Sequence, residues 1–452
     1  MRVAIAILFA ASSMLAAQGT EPVLGPADSA FLHEQARRIV ASARLAPGQA
    51  SGQWSNVTPY TLHVPGGNMG YPAFWVRDAV MMLSGDFISA EELEGWIRLI
   101  CNTLQTRENL HVRPGVVVPV YTVPDHIEFT GKPTFYPGNY ETGSKQGGYP
   151  FGKYPPLDDN YYFLRAVYEY WRMTHNLRFF HSAVKTSLGK MELADLCEKV
   201  YKASPTDPRT GLVVAGDVKT ENAKDWGFCD GELKSGELLF PSILRYIAAG
   251  ELAELFRASG QHEKATEYQR DAAQLKSSIP KVFFHLTRNA DEGWLYSATE
   301  VGNQPDVWGS AFAVWGGVVE GQVAQKVSRA LVRAFQEKTA VREGCVRQIL
   351  TTDPTNHGGW QGSISKLGTY QNGGYWGTPT GWYIAAMDRV DHRAAVRMAN
   401  AYVRFLRDNL RSDGMAEAWE WFNPDTGRHN NPLYVATVAL PYLSLKEAGL
   451  VK

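Results

Sequence analysis

Two kinds of helix-forming segment alternate along this chain, and the connections between them are lopsided. Amphipathic, charge-rich segments fall at about residues 28–46, 89–104, 262–280, 320–338 and 391–411, with one more that follows residue 174 at once and ends near Ala203. Apolar segments, rich in aromatic residues or in Ala and Gly, fall between them at about 74–83, 158–174, 241–259, 308–318, 380–390 and 432–448. Each has helical spacing; Ala265, Tyr268, Ala272, Leu275 and Ile279, for example, recur every three or four residues. Ser89 and Glu92 form a capping box, while Pro241 in a first turn and Gly260 after a last turn mark a start and a stop. Connections from apolar to amphipathic segments are tight, as at Gly85–Ile88, Gly260–Gln261 and Val390–Asp391, and those in the other direction are long.

A ring of six helical hairpins satisfies this pattern. Apolar helices, buried on both sides, form the inner circle, and amphipathic helices with one wet face form the outer one. All the long loops then gather at the N-terminal ends of the inner helices, making one face of the toroid a loop-lined surface. The expectation is an all-α (α/α)6 toroid in a single domain over residues 18–452. Strand signal is confined to short pieces such as 115–122.

Residues 1–17 read as an export signal: Arg2 supplies the charge, an apolar core follows, and small residues end at Ala17. The expected location is therefore secreted or periplasmic. No later apolar run approaches the roughly 20 residues of a membrane span. The 45 basic and 46 acidic residues nearly cancel without basic blocks, which argues against nucleic acid as a partner. Four scattered cysteines, Cys101, Cys197, Cys229 and Cys345, do not form a disulfide framework. The histidines have no metal-ligand spacing, so no metal or other cofactor is expected.

Aromatic residues make up 12% of the chain, and many sit in the Gly-rich long loops, where they suit stacking on sugar rings. Four loop segments stand out. Lys224-Asp225-Trp226-Gly227-Phe228-Cys229-Asp230-Gly231-Glu232 interleaves carboxylates with Trp and Phe just before an inner helix. Phe74-Trp75-Val76-Arg77-Asp78 places a charged pair at another helix mouth. Gly368-Thr369-Tyr370-Gln371-Asn372-Gly373-Gly374-Tyr375-Trp376 offers amides, aromatic faces and a Gly pair that lets backbone approach a ligand. Glu417-Ala418-Trp419-Glu420 is followed by an Asn423-Pro424-Asp425-Thr426-Gly427 turn that fixes it before the last inner helix. Two carboxyls facing each other at one mouth could hydrolyse a glycosidic bond by inversion, one donating a proton and the other activating water. Asp158 and Asp159 read as helix caps, Asp125-His126-Ile127-Glu128 as a solvated loop, and Glu237 either as a first-turn residue or as a sugar contact.

The hairpin ring together with Trp75-Val76-Arg77-Asp78, Tyr370-Gln371-Asn372-Gly373-Gly374-Tyr375-Trp376 and Glu420-Trp421-Phe422-Asn423-Pro424-Asp425-Thr426-Gly427 resembles the six-hairpin glycosidases. Among them the chain is most similar to the inverting group of trehalases, processing α-glucosidases and the glucosidase module of debranching enzymes. The resemblance implies Asp230 as general acid and Glu420 as general base. It also implies Trp75, Arg77, Asp78, Gln371, Asn372 and Trp376 around the cleaved sugar, with Asp225, Trp226, Glu417 and Trp419 as further substrate contacts. The group's usual pattern around its acid is not reproduced in Asp225-Trp226-Gly227-Phe228-Cys229-Asp230, so Asp225 stands as an alternative acid, and Glu417 as an alternative base. The implied activity is exo-hydrolysis of an α-linked glucoside or related oligosaccharide. Two rivals share the surface: a polysaccharide lyase, which would need a Tyr or His base and cationic or amide groups around a uronate, and a glycan-binding protein without catalysis.

Overall fold

The computed structural model of the chain describes residues 21–66, 71–105, 110–113, 116–135, 158–215, 231–363 and 365–451. Among these residues lie α1 (Pro26–Ser42), α2 (Val76–Val80), α3 (Ala90–Thr103), α4 (Asp159–Thr174), α5 (Leu177–Phe180), α6 (Leu193–Lys202), α7 (Leu239–Ala258), α8 (His262–Phe283), α9 (Val307–Trp315), α10 (Gly321–Gln336), α11 (Thr380–Asp388), α12 (His392–Asp408) and α13 (Val435–Glu447). The inner circle runs α2, α4, α7, α9, α11, α13, each packed on the next. Around it lie α3, α6, α8, α10, α12 and α1. Along the chain α2 leads into α3, and α4 packs on α6 across the short α5, α7 on α8, α9 on α10 and α11 on α12, which makes five hairpins. The sixth pairs α13 with α1, so the two ends of the described chain close the ring, and α1 also touches α12. The expected (α/α)6 toroid is the observed fold.

Sequence explains the division of labour. α9 and α11 carry almost nothing but apolar and small residues and are buried nearly all round. α10 and α12 bury one stripe, Ala324, Val327, Leu331 and Ala334 in the first and Ala395, Met398, Tyr402 and Leu406 in the second. Close packing of the inner circle depends on small residues: a Cβ at Gly381 of α11 would lie 2.7 Å from the Pro441 carbonyl oxygen of α13. The capping box of α3 forms as expected, with Glu92 N donating to Ser89 Oγ at 3.2 Å and Ser89 N to Glu92 Oε2 at 3.0 Å. Cys101, Cys197 and Cys345 are buried and unbridged. No helix of the described residues is long and apolar enough to cross a membrane. Residues 1–17 and Cys229 lie outside the described residues.

Three local expectations change. Phe74 and Trp75 are not helical, because Ala73–Trp75 pairs as a strand with His126–Glu128, leaving α2 only Val76–Val80. The segment after residue 174 is not one helix: the short α5 and a hairpin, Ala183–Thr186 on Gly189–Glu192, precede α6. Asp158 occupies the N-cap position of α4 but makes no side-chain cap, for a reason given by the site below.

The long loops are tied to one another across one face. Val76 N bonds Asp125 O at 3.1 Å, Leu239 N bonds Ser297 O at 2.9 Å, and Val307 N bonds Gln348 O at 3.0 Å. Tyr375 N bonds Phe422 O at 2.8 Å, and Val435 N bonds Pro65 O at 2.8 Å. These ties join the described loop segments and helix starts into one hydrogen-bonded frame.

One buried group on this frame sets an acid limit. His63 is 1% exposed, lies edge-on to Trp96 with ring centroids 5.3 Å apart, and has an Nδ1 without a hydrogen-bond partner. Burial pushes its pKa down to about 4, with nearby Glu92 opposing. A depressed imidazole contributes stability that is present above its ordinary value of 6.5 and is lost as pH falls through the folded value. We expect His63 to account for about 2–3 kcal/mol of stability lost between pH 7 and pH 4.5. Urea unfolding at both pH values should find that His63→Phe loses correspondingly less. Equal acid losses in the two proteins would contradict this.

Candidate active site

Glu420 lies at the base of a hairpin, next to Trp421–Asn423, which pairs with Arg428–Asn430. The turn between them follows from its residues: Asn423 Oδ1 accepts Asp425 N at 3.0 Å, and Gly427 has a φ of 67°. The two arms below the hairpin clasp each other. Glu420 N is shared between the carbonyls of Asn430 at 3.1 Å and Asn431 at 3.0 Å, while Tyr434 N reaches Ala418 O at 2.8 Å. Ala418, Asn431 and Leu433 all adopt left-handed backbone, with φ of 42°, 41° and 58°. For Ala418 and Leu433 this costs roughly 1–2 kcal/mol each, while Asn431 tolerates it better. Such residues in the arms that flank Glu420 are the kind of strain that collects at functional sites.

Glu420 is 2% exposed, and its carboxylate is held at both oxygens. Tyr71 Oη donates to Oε1 at 2.7 Å, and Asn431 Nδ2 donates to Oε2 at 2.6 Å. The same Asn431 amide donates to Tyr71 Oη at 3.0 Å, closing a triangle. Asn430 Nδ2 is more distant from Oε2, at 3.4 Å.

An aromatic wall leads away from this triangle. The Tyr71 ring meets Trp75 edge-on at 4.8 Å, and Trp75 stacks on His126 at 4.4 Å and 23°. His126 Nδ1 and Asp125 Oδ2 share a hydrogen bond of 2.7 Å. Behind them Arg77, 4% exposed, gathers acidic side chains: Nη2 lies 3.1 Å from Asp125 and 3.7 Å from Asp159, and Nη1 lies 3.4 Å from Asp158. Tyr434 Oη donates to Asp78. Burial, followed by the charge of Asp78 and of Glu420, pushes the Tyr434 hydroxyl far above its ordinary value, so it stays a donor. Burial and then Asp158 likewise hold the Asp159 carboxyl well above the usual carboxylate range, with Arg77 opposing.

This network corrects two expectations. Asp158 and Asp159 turn to a buried guanidinium instead of capping α4, and Asp125 and His126 are buried, at 4% and 5% exposure, with His126 opening the strand His126–Glu128 and Asp125 just before it, rather than lying in a solvated loop. Arg77 is the physical reason for both, because a desolvated cation attracts carboxylates more strongly than a helix terminus does.

The segment holding Gln371, Asn372 and Trp376 is buried and braced by the protein's own groups. Gln371 Oε1 accepts Gly231 N at 3.4 Å, and its carbonyl accepts Trp360 Nε1 at 3.2 Å. Asn372 braces the loop, accepting Trp360 N at 2.9 Å and donating to Ser365 O at 2.8 Å. Trp376 is fully buried and crosses Trp308 edge-on at 5.5 Å. The Gly pair admits the protein's own groups: a Cβ on Gly373 would lie 2.4 Å from Arg347 Nη2, and one on Gly374 2.6 Å from the Tyr370 carbonyl oxygen.

Among the remaining candidates, Trp419 stacks on His429 at 4.6 Å, and Glu417 is about one-third exposed with Arg411 at 3.8 Å. Glu237, two residues before α7, accepts Thr210 Oγ1 at 2.6 Å. Asp225, Trp226 and Asp230 lie outside the described residues. Tyr71, Asn431 and Tyr434 were not singled out from sequence, and Asp125 and His126 were read only as part of a solvated loop. For Tyr434 a signal existed, since it occupies the N-cap position of α13 as Trp75 does that of α2. Among the described residues no group of three or more His, Cys, Asp or Glu side chains could hold a metal ion.

No family model matches the chain, and no curated protein matches it in sequence. Solved structures do match. A wild-type glycosidase superposes with a TM-score of 0.55 at 13% identity, over 95% of this chain and 100% of that one. A rhamnosidase from Klebsiella oxytoca with rhamnose bound gives 0.54 at 14% identity, over 96% of this chain and 67% of that one. A bacterial glucoamylase complexed with acarbose gives 0.53 at 14% identity, over 93% and 56%. At such identities the likeness is one of fold.

Proposed function

We propose that the protein is an inverting glycoside hydrolase, exo-acting on an α-linked glucoside or related oligosaccharide, with Glu420 as general base and Asp230 as general acid. The observation that carries this reading is the buried Glu420 carboxylate, oriented by Tyr71 and Asn431 at the foot of an aromatic wall. The fold likeness supports it, since the similar structures include glycosidases named with glucose, rhamnose or acarbose bound. For the acid, Gly231 bonds Gln371, and the same loop pairs Tyr375 with Phe422, two residues beyond Glu420. That linkage favours a common mouth for Asp230 and Glu420. Asp225 is the alternative acid.

In the reaction, Glu420 takes a proton from water as the water oxygen attacks the anomeric carbon. The bond from that carbon to the leaving oxygen breaks, and the leaving oxygen takes the proton of the aspartic acid. Carboxyls about 6.5–9.5 Å apart leave room for the water. Tyr71 and Trp75 supply faces for the sugar ring, while Arg77, Asp78 and His126 back that wall from behind. The test is incubation with a panel of α-glucosides and other glycans, following free sugar by NMR. Release of a terminal sugar is expected. An unsaturated, ultraviolet-absorbing product would mean a lyase instead, and binding without release would mean a lectin-like protein.

A further inference from the structure

The proposed reaction needs a base whose carboxylate keeps one orientation while water, substrate and product exchange over it. Two oxygen atoms on a rotatable side chain do not hold such an orientation by themselves. Here each oxygen meets a donor from a different loop: Tyr71 comes from the α1–α2 connection and Asn431 from the α12–α13 connection. Asn431 is the joint between them, because its one amide nitrogen serves both Glu420 Oε2 at 2.6 Å and Tyr71 Oη at 3.0 Å. Both amide hydrogens are thereby committed. Accepting one of them polarises the Tyr71 hydroxyl, which strengthens its own donation to Oε1.

The backbone is bent to make this possible. Asn431 sits at a φ of 41°, a conformation that Asn tolerates better than most residues, and the next residue is Pro432. Its carbonyl also accepts the backbone N–H of Glu420 at 3.0 Å, so residue 431 grips both ends of the same glutamate.

We infer that Asn431 is a positioning residue, one amide that locks Tyr71 and Glu420 into a single hydrogen-bonded unit and fixes which lone pairs of Glu420 face the reacting water. This rests on the base role proposed for Glu420 and adds to it a residue that touches no substrate. It also predicts that Tyr71 and Asn431 act together rather than independently.

Asn431→Gly keeps the left-handed backbone and deletes the amide. Its kcat should fall about 10- to 100-fold with KM changed less than about threefold, and its thermal midpoint should stay within a few degrees of wild type. Asn431→Asp preserves shape but sets an acceptor against two acceptors, so it should lose more than Asn431→Gly; it also serves if the glycine variant is poorly folded. With Tyr71→Phe as the other arm of a double-mutant cycle, the combined loss should be clearly smaller than the product of the single losses. Independent multiplicative losses, or kcat within twofold of wild type in folded Asn431→Gly, would overturn the inference.

A readout without turnover separates this from the enzyme proposal. In protein selectively labelled with 15N-asparagine, an Asn431 amide proton should resonate downfield of ordinary asparagine. It should move upfield in Glu420→Gln and in Tyr71→Phe. If wild type hydrolyses nothing and that signature is present, the enzyme proposal fails and the locked unit stands. If the signature is absent, the locked unit fails whatever the activity.

Discussion

Glu420→Gln should lower kcat by about 10²- to 10⁴-fold while leaving the protein folded and KM nearly unchanged. The substitution is nearly isosteric, so the clasp formed by Ala418, Tyr434 and the backbone of Asn430 and Asn431 survives. What disappears is the ability to take a proton from water. In the proposed roles the sugar is held by other groups, Tyr71 and Trp75 among them, and loss of an interaction confined to the transition state falls on kcat. A glutamine amide also sets a donor against Asn431 Nδ2, unless the Asn431 amide flips to offer its oxygen. Azide, which attacks carbon without giving up a proton, should restore turnover and yield a glycosyl azide. Undiminished activity in Glu420→Gln would remove Glu420 from the chemistry and with it the proposed mechanism.

Arg77→Met should destabilise the protein by about 3–5 kcal/mol, the scale for removing one partner from a buried ionic cluster. Three aspartates within 4 Å of the guanidinium, Asp125, Asp158 and Asp159, would lose the cation that gathers them. Arg77→Lys should fall between wild type and Arg77→Met, because one ammonium cannot present two nitrogens to carboxylates on either side. The loss should depend on pH with a definite sign. The Asp159 carboxyl is already raised in the folded protein, by burial first and by Asp158 next, against the pull of Arg77. A raised carboxyl contributes stability that is fully present below its ordinary value of 3.8 and is lost as pH rises through the folded value. Removing Arg77 raises it further, so the deficit of Arg77→Met should be larger at pH 8 than at pH 5. Urea unfolding at both values measures it; a deficit below about 1 kcal/mol, or one larger at pH 5, would contradict this account.

The toroid was legible because its two helix types differ in where they meet water, and that difference is written in hydrophobic periodicity. What periodicity could not supply was long-range pairing. Phe74 and Trp75 have the apolar character of the helix that follows, yet the His126–Glu128 strand claims them. The hairpin at 183–192 was hidden for a related reason: its strands are only four residues each, and the second opens on Gly189 at a φ of 122°. Ring closure by α13 on α1 followed from the number of helices, not from any motif.

The site was legible where local turn chemistry announced it. Asn423-Pro424-Asp425-Thr426-Gly427 marks the hairpin and so marks Glu420 beneath it. Tyr71 and Asn431 carry no such mark, because they become neighbours only when the first and last long loops meet at Gly66 and Tyr434. The aspartates were misread because an acidic side chain is expected in water, and only a buried Arg77 reverses that expectation.

The most direct test of the central claim is the anomer released first, observed by proton NMR in the opening minutes of turnover of an α-glucoside, before mutarotation equilibrates the product. Two carboxyls acting across one water deliver that water to the face opposite the leaving group, so β-glucose should appear first. First release of α-glucose would mean a covalent intermediate and two displacements, and the assignment of Glu420 as a base toward water would be wrong.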